Sequence, residues 1–117
     1  MTSNDRCLFC RIMSGEIPAR KAYEDDDVYA FHDINPQAPV HILVIPRRHV
    51  ASLDDLSDSD AGLVGTVLAR AAQLARDLQL NADGYRIVAN TGAAAGQTVF
   101  HVHFHLLGGR TFGWPPG

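Results

Sequence analysis

Hydrophobic and polar positions change period several times along this chain, and each pattern predicts an element. The stretch VHILVIP, Val40 to Pro46, is β-branched and apolar on both faces, which predicts a central strand stopping at Pro46. YRIVAN, Tyr85 to Asn90, predicts a second strand, and TVFHVHFHLL, Thr98 to Leu107, alternates strongly enough to predict a third. Between them Val64, Val67, Leu68, Ala71, Leu74, Ala75 and Leu78 recur at helical spacing. Ser57 or Ser59 can cap the start of that helix, with Asp58 and Asp60 favourable at its positive end. Its single apolar face should pack on one side of a sheet. Cys7 to Ser14 predicts one or two further helical turns. The acidic run Glu24 to Asp27 predicts a solvated hairpin turn joining Lys21–Tyr23 to Val28–Phe31. A short helix, a hairpin, a strand, a long helix and two strands make an α+β pattern on an antiparallel sheet. No repeat, low-complexity tract or linker interrupts it.

Composition narrows the function classes. A chain of 117 residues is expected to form one domain with a core that needs no disulfide staples. The net charge of −3 leaves no basic footprint for nucleic acid, so a phosphate ligand must be captured locally. No apolar stretch is long enough to span a bilayer, and MTSNDRCLFC lacks the pattern of a secretory signal. The two cysteines, Cys7 and Cys10, are too few and too close for a disulfide framework. These features predict a cytoplasmic protein with no membrane partner.

Three of the six histidines, His101, His103 and His105, occupy alternate positions. In a strand they share one face at a spacing of about 6.5–7 Å, while Val102 and Phe104 point into a core. Three adjacent buried imidazoles are hard to satisfy structurally. A zinc or copper site is one alternative, since imidazole suits both metals. A nucleophilic imidazole flanked by orienting ones is the other, because neutral histidine can attack phosphorus and hold a covalent intermediate. The preceding NTGAAAGQT is rich in small residues that let backbone amides approach an anion. It is not a P-loop, since it lacks Gly-Lys-Ser/Thr and leads into a strand.

The run His101-Val-His103-Phe-His105-Leu-Leu resembles the motif of the histidine triad (HIT) family. The resemblance extends through CLFCRI, EIPA, YEDDDVYAFHDINPQAPVHILVIPRRH, GQTVFHVHFHLLGGR and the terminal WPPG. The Gly-Gly-Arg and Trp-Pro-Pro-Gly make the chain similar to the Hint branch, adenosine 5′-monophosphoramidases. This implies a HIT-like α+β fold and a homodimer. It implies a single HIT domain over 1–117, with a core of about 7–109 and a C-terminal tail at 110–117.

By that resemblance His103 is the nucleophile toward the α-phosphorus of an AMP derivative, and water then hydrolyses the nucleotidyl-histidine. His105 binds a phosphate oxygen, His101 orients the nucleophile, and His41 is either a fourth supporting histidine or an ordinary histidine at the end of a strand. Thr98, where relatives commonly carry serine, keeps a hydroxyl for the leaving amine. Asn90, Gly96, Gln97 and Thr98 fall on the phosphate and leaving-group side. Phe31, His32, Asp33 and Ile34 match the nucleoside pocket, with Asp33 on the ribose hydroxyls and Phe9, Ile12, Phe31 and Ile34 around the purine. Trp114 is expected either to shape the leaving-group pocket or to anchor the tail.

Catalysis by this route requires no cofactor. Bacterial relatives carrying the C-x-x-C pair imply a structural zinc on Cys7, Cys10, His49 and His101. The alternative reading of the pair is two reduced, part-buried thiols. The rival functions are a dinucleoside polyphosphate hydrolase, a non-catalytic purine nucleotide- or zinc-binding regulatory module, and a metalloenzyme ligated by all three histidines.

Overall fold

In a computed structural model, which describes residues 6–117, the apolar runs become five strands and two helices. The helices are α1 (Leu8–Met13) and α2 (Ala61–Asp77), and the strands are β1 (Lys21–Glu24), β2 (Val28–His32), β3 (Val40–Pro46), β4 (Tyr85–Val88) and β5 (Phe104–Gly108). Every strand pairing is antiparallel, in the order β1-β2-β3-β5-β4, so the α+β expectation holds. Because β3 is central, both of its faces are covered. Ile42 and Val44 join Val28, Ala30, Phe104 and Leu106 under α2. Leu43 and Ile45 join Tyr29, Phe31 and the α1 residues Phe9, Cys10 and Ile12 on the other face. The sheet therefore separates a helix-packed core from a face that carries α1 and the histidines.

Helix α2 is entered through a 3₁₀ turn, Asp58–Asp60. Ser57 caps that turn, its backbone N–H donating to Asp60 Oδ2 at 2.8 Å. Val67, Ala71, Leu74 and Ala75 bury against the sheet. Leu68 and Leu78, expected on the same face, lie at its edges and stay 37% and 45% exposed.

Two expectations are corrected. The last strand begins at Phe104, not Thr98. The β3–β5 register pairs Val44 with Phe104, which would set Pro46 opposite Val102. Proline has no N–H to extend the ladder, and its carbonyl accepts from His101 Nε2 at 2.8 Å instead. The Val102 N–H turns to Val50 O. Likewise β4 ends at Val88, two residues before Asn90. The acidic turn is also more than solvated. Asp25 accepts from Tyr23, from Arg70 of α2, and from the backbone N–H groups of Asp27 and Val28, all at 2.8 Å. Those bonds outweigh its desolvation and hold the carboxyl well below the usual range.

Candidate active site

Although only His105 of the three alternating histidines lies within a ladder, all three face away from α2. Val102, Phe104 and Leu106 take the opposite side and join the α2 core. Phe9 of α1 meets His103 edge-on at 5.1 Å between ring centroids and lies 6.2 Å from His101, so α1 covers the histidines. His103 and His105 are neighbours at 5.1 Å.

The hydrogen bonds fix which nitrogen of each ring carries a proton, because backbone groups can only donate or only accept. His103 Nδ1 lies 2.7 Å from the His101 carbonyl, so it holds the proton and Nε2 keeps a lone pair. The Gln37 N–H donates to His41 Nδ1 at 3.0 Å, which places the His41 proton on Nε2. That Nε2 lies 2.8 Å from His105 Nδ1 and 3.4 Å from Asp33 Oδ2. His105 Nδ1 must then accept, leaving its own proton on Nε2. Among the described residues His105 Nε2 is the buried side-chain polar atom without a partner. An unmet buried donor costs about 1–3 kcal/mol, and an anion in the cleft would satisfy it.

Burial keeps these rings neutral. Desolvation lowers the pKa of His103 and His41 against the opposing pull of Asp33. Desolvation, reinforced by repulsion from His103 and His41, takes His105 down to about 4. The site thus pairs a neutral imidazole lone pair at His103 with a fixed N–H donor at His105. That combination suits attack on a tetrahedral phosphorus.

These groups open on a cleft of about 370 Å³. Of the expected nucleotide residues Phe9, Ile12, Phe31, His32, Asp33, Ile34, Thr98, His103 and His105 line it. Asp33 Oδ1 accepts the Asn35 N–H at 2.8 Å. Ile34 is 97% exposed, so it stands at the rim rather than inside. Asn90, Gly96 and Gln97 do not line the cleft. The Gln97 side chain braces the loop instead, donating to Ala51 O and Val99 O and accepting the Gly92 N–H. Gly92 and Gly96 have φ of +87° and +93°, which only glycine adopts readily. Those angles form the turn that leads into the triad segment. Trp114 is 83% exposed and lies over Arg86, away from the cleft within its own chain. Leu8, Ile17, Pro18, Ala19, Leu43 and Val99 also line the cleft and were not expected from the sequence. The alternation of β3 could have marked Leu43, which shares its face with Ile45.

A second cluster adjoins the first. The ligand atoms of Cys7, Cys10, His49 and His101 all lie within 4.8 Å of one another. His101 Nδ1 is 3.4 Å from Cys7 Sγ, 3.5 Å from Cys10 Sγ and 3.2 Å from His49 Nδ1, and Cys10 Sγ is 3.5 Å from His49 Nδ1. A tetrahedral zinc with ordinary bond lengths has S···N and N···N edges of about 3.6 and 3.3 Å. The His101 proton sits on Nε2, held by Pro46 O, so the Nδ1 lone pair faces the thiols. Such a backbone-anchored ring is the usual outer support of a metal-binding histidine. The four residues fit a tetrahedral ion. No helix among the described residues is long and apolar enough to cross a membrane.

The HIT domain family model matches residues 14–112. The chain is 50% identical over 110 residues to an HIT-like protein of Synechocystis, covering 94% of this chain and 96% of that one. Its fold is similar to a HIT family hydrolase from Legionella pneumophila, with TM-score 0.94, 50% identity, and coverage of 96% of this chain and 100% of the other. It is also similar to a histidine triad protein from Clostridium difficile, with TM-score 0.92, 40% identity, and coverage of 96% and 97%. The chain belongs to the HIT family.

Proposed function

We propose that this member of the HIT family is a nucleotide hydrolase of the Hint type, releasing AMP from adenosine phosphoramidates or aminoacyl-AMP-type substrates. The observation that carries the reading is the pair of tautomers: a lone pair on His103 Nε2 beside a partnerless donor on His105 Nε2. The His103 Nε2 lone pair attacks the α-phosphorus; in a phosphoramidate the P–N bond breaks and the amine leaves with a proton, and in an aminoacyl-AMP the anhydride P–O bond breaks and the carboxylate leaves. Thr98, exposed at the lip of the cleft, supplies a hydroxyl for that transfer. His105 donates to a phosphate oxygen as charge builds there. The His101 carbonyl holds the His103 Nδ1–H throughout and offsets the positive charge on the attacking ring. Water then attacks phosphorus in the nucleotidyl-histidine, and AMP departs. Asp33 accepts from the ribose hydroxyls, while Phe9, Ile12 and Phe31 flank the purine.

The Cys7, Cys10, His49 and His101 cluster is read as a structural zinc site that ties α1 to the start of the triad segment. His101 serves there and not at phosphorus, which argues against a metalloenzyme ligated by all three histidines. A homodimer through the β4 edge, the exposed Leu68 of α2 and Leu78 just past its end completes the reading. Replacing His103 by Ala is expected to abolish AMP release from adenosine phosphoramidate while AMP still binds. Wild-type turnover in that variant would refute the mechanism, and binding without turnover in the parent chain would favour a regulatory module. Faster cleavage of diadenosine polyphosphates than of the phosphoramidate would favour that rival.

A further inference from the structure

The His41–His105 pair can be wired in either direction. With the His41 proton on Nε2, His105 presents an N–H to the cleft. With both protons moved to the other nitrogens, the 2.8 Å bond survives but His105 presents a lone pair, which repels a phosphate oxygen. The direction is therefore set at the far end, by the Gln37 N–H on His41 Nδ1. Asp33 Oδ2, 3.4 Å from His41 Nε2, favours the same direction over a longer distance.

The Gln37 side chain is exposed and belongs to no core cluster, so its own packing does not fix where its N–H points. It is held by hydrogen bonds from two sides. Its side-chain Nε2 donates to Asn35 O at 3.0 Å, and Asn35 is tied in turn to Asp33 Oδ1. Its carbonyl accepts from Arg110 Nε at 3.0 Å. We propose that Arg110 is a positioning residue, clamping Gln37 so that its N–H sets the tautomer of His41 and hence the proton that His105 offers to the phosphate. This rests on the phosphate-binding role proposed above for His105.

The tail is built to deliver that guanidinium. Gly109 has φ +91°, and a Cβ there would lie 2.9 Å from Pro39 Cβ, so the turn after β5 presses directly on the loop before β3. Arg110 Nη1 donates to Thr111 O at 3.0 Å, and the guanidinium stacks on Phe112 at 4.2 Å. The same ring meets Arg86 of β4 at 5.2 Å, and Arg86 Nη2 donates to Gly113 O at 2.9 Å. A planar donor held by both stacking and hydrogen bonds is better fixed than a lysine ammonium would be.

The test compares the wild-type chain with Arg110→Ala and Arg110→Lys. Long-range ¹H–¹⁵N correlation at neutral pH reads the tautomer of each imidazole, and steady-state kinetics on adenosine phosphoramidate read kcat and KM. The wild type should carry Nε2–H at His41 and at His105. Arg110→Ala should show mixed tautomers at both while His103 keeps its Nδ1–H, with kcat about tenfold lower and KM within about twofold. Arg110→Lys, which can still donate to the Gln37 carbonyl but loses the stacking on Phe112, should fall between the wild type and Arg110→Ala in both readouts. Wild-type tautomers at His41 and His105 in Arg110→Ala would overturn the proposal, as would a lower Tm with kcat unchanged. The tautomer readout needs no substrate. A wild type that cleaves no phosphoramidate would therefore refute the proposed function, while the clamp would still stand or fall on the imidazole protons.

Discussion

Replacing Asp33 by Asn separates two jobs that the carboxylate performs in this structure. One oxygen accepts the Asn35 N–H, a bond that an Asn side-chain carbonyl can keep. The other oxygen lies 3.4 Å from His41 and borders the cleft, where an amide nitrogen can no longer accept ribose hydroxyls. Hydrogen bonds to a charged group contribute about 1.5–3 kcal/mol each. The side chain is 19% exposed, which argues for the low end. Two ribose hydroxyls then account for about 3 kcal/mol, or a rise of roughly 150-fold in Kd for AMP. Tm should barely move, since the turn bond is kept. Isothermal titration with AMP and with 2′,3′-dideoxy-AMP closes a thermodynamic cycle. The dideoxy ligand should bind weakly to the parent and change by less than about threefold on Asp33→Asn. Equal losses for both ligands would refute the reasoning, because the effect would then run through His41 or the loop and not through the ribose.

Two further outcomes follow from the geometry. Burial lowers the pKa of His103, and takes that of His105 to about 4, so the free protein binds fewer protons than the unfolded chain below the ordinary histidine value. The stabilisation is complete above about pH 6.5 and is lost as pH falls toward 4. The acid limb of kcat/KM should accordingly lie below pH 6.5, and a limb centred above that value would contradict the burial argument. At the second cluster, Cys10→Ser should lose a bound metal that the parent retains, measured by elemental analysis. It should also lower Tm by about 10 °C, the scale of a few kcal/mol in a domain of this size. A parent chain that is purified without metal and whose Tm ignores chelators would refute the structural zinc.

Periodicity revealed the two-faced logic of the site. Val102, Phe104 and Leu106 against His101, His103 and His105 could be read directly, because a strand-like backbone alternates whether or not its N–H groups are paired. Where the ladder begins could not, since it depends on Pro46 standing opposite Val102 in another strand. The same limit applied to Leu68 and Leu78, whose helical spacing is right but which lie outside the stripe of Val67, Ala71, Leu74 and Ala75 that meets the sheet. Asp25 looked like a turn residue, and its bond to Arg70 of α2 is invisible to any local pattern. Motif resemblance pointed to Gln97 on the phosphate side, and the bond its amide makes to Ala51 O, 46 positions away, is one that no local pattern displays. The wiring of His41 was also hidden, because its partners are the backbone N–H of Gln37 and a ring 64 positions away.

The most direct test of the nucleophile assignment is mass spectrometry of the protein quenched during turnover of adenosine phosphoramidate. Alkaline denaturation preserves a phosphorus–nitrogen bond to imidazole, so the adduct can be mapped by peptide fragmentation. One added nucleotidyl group is expected, located on His103 and absent from His103→Ala. An adduct on His101 or His105, or turnover that proceeds with no adduct at all, would contradict the assignment.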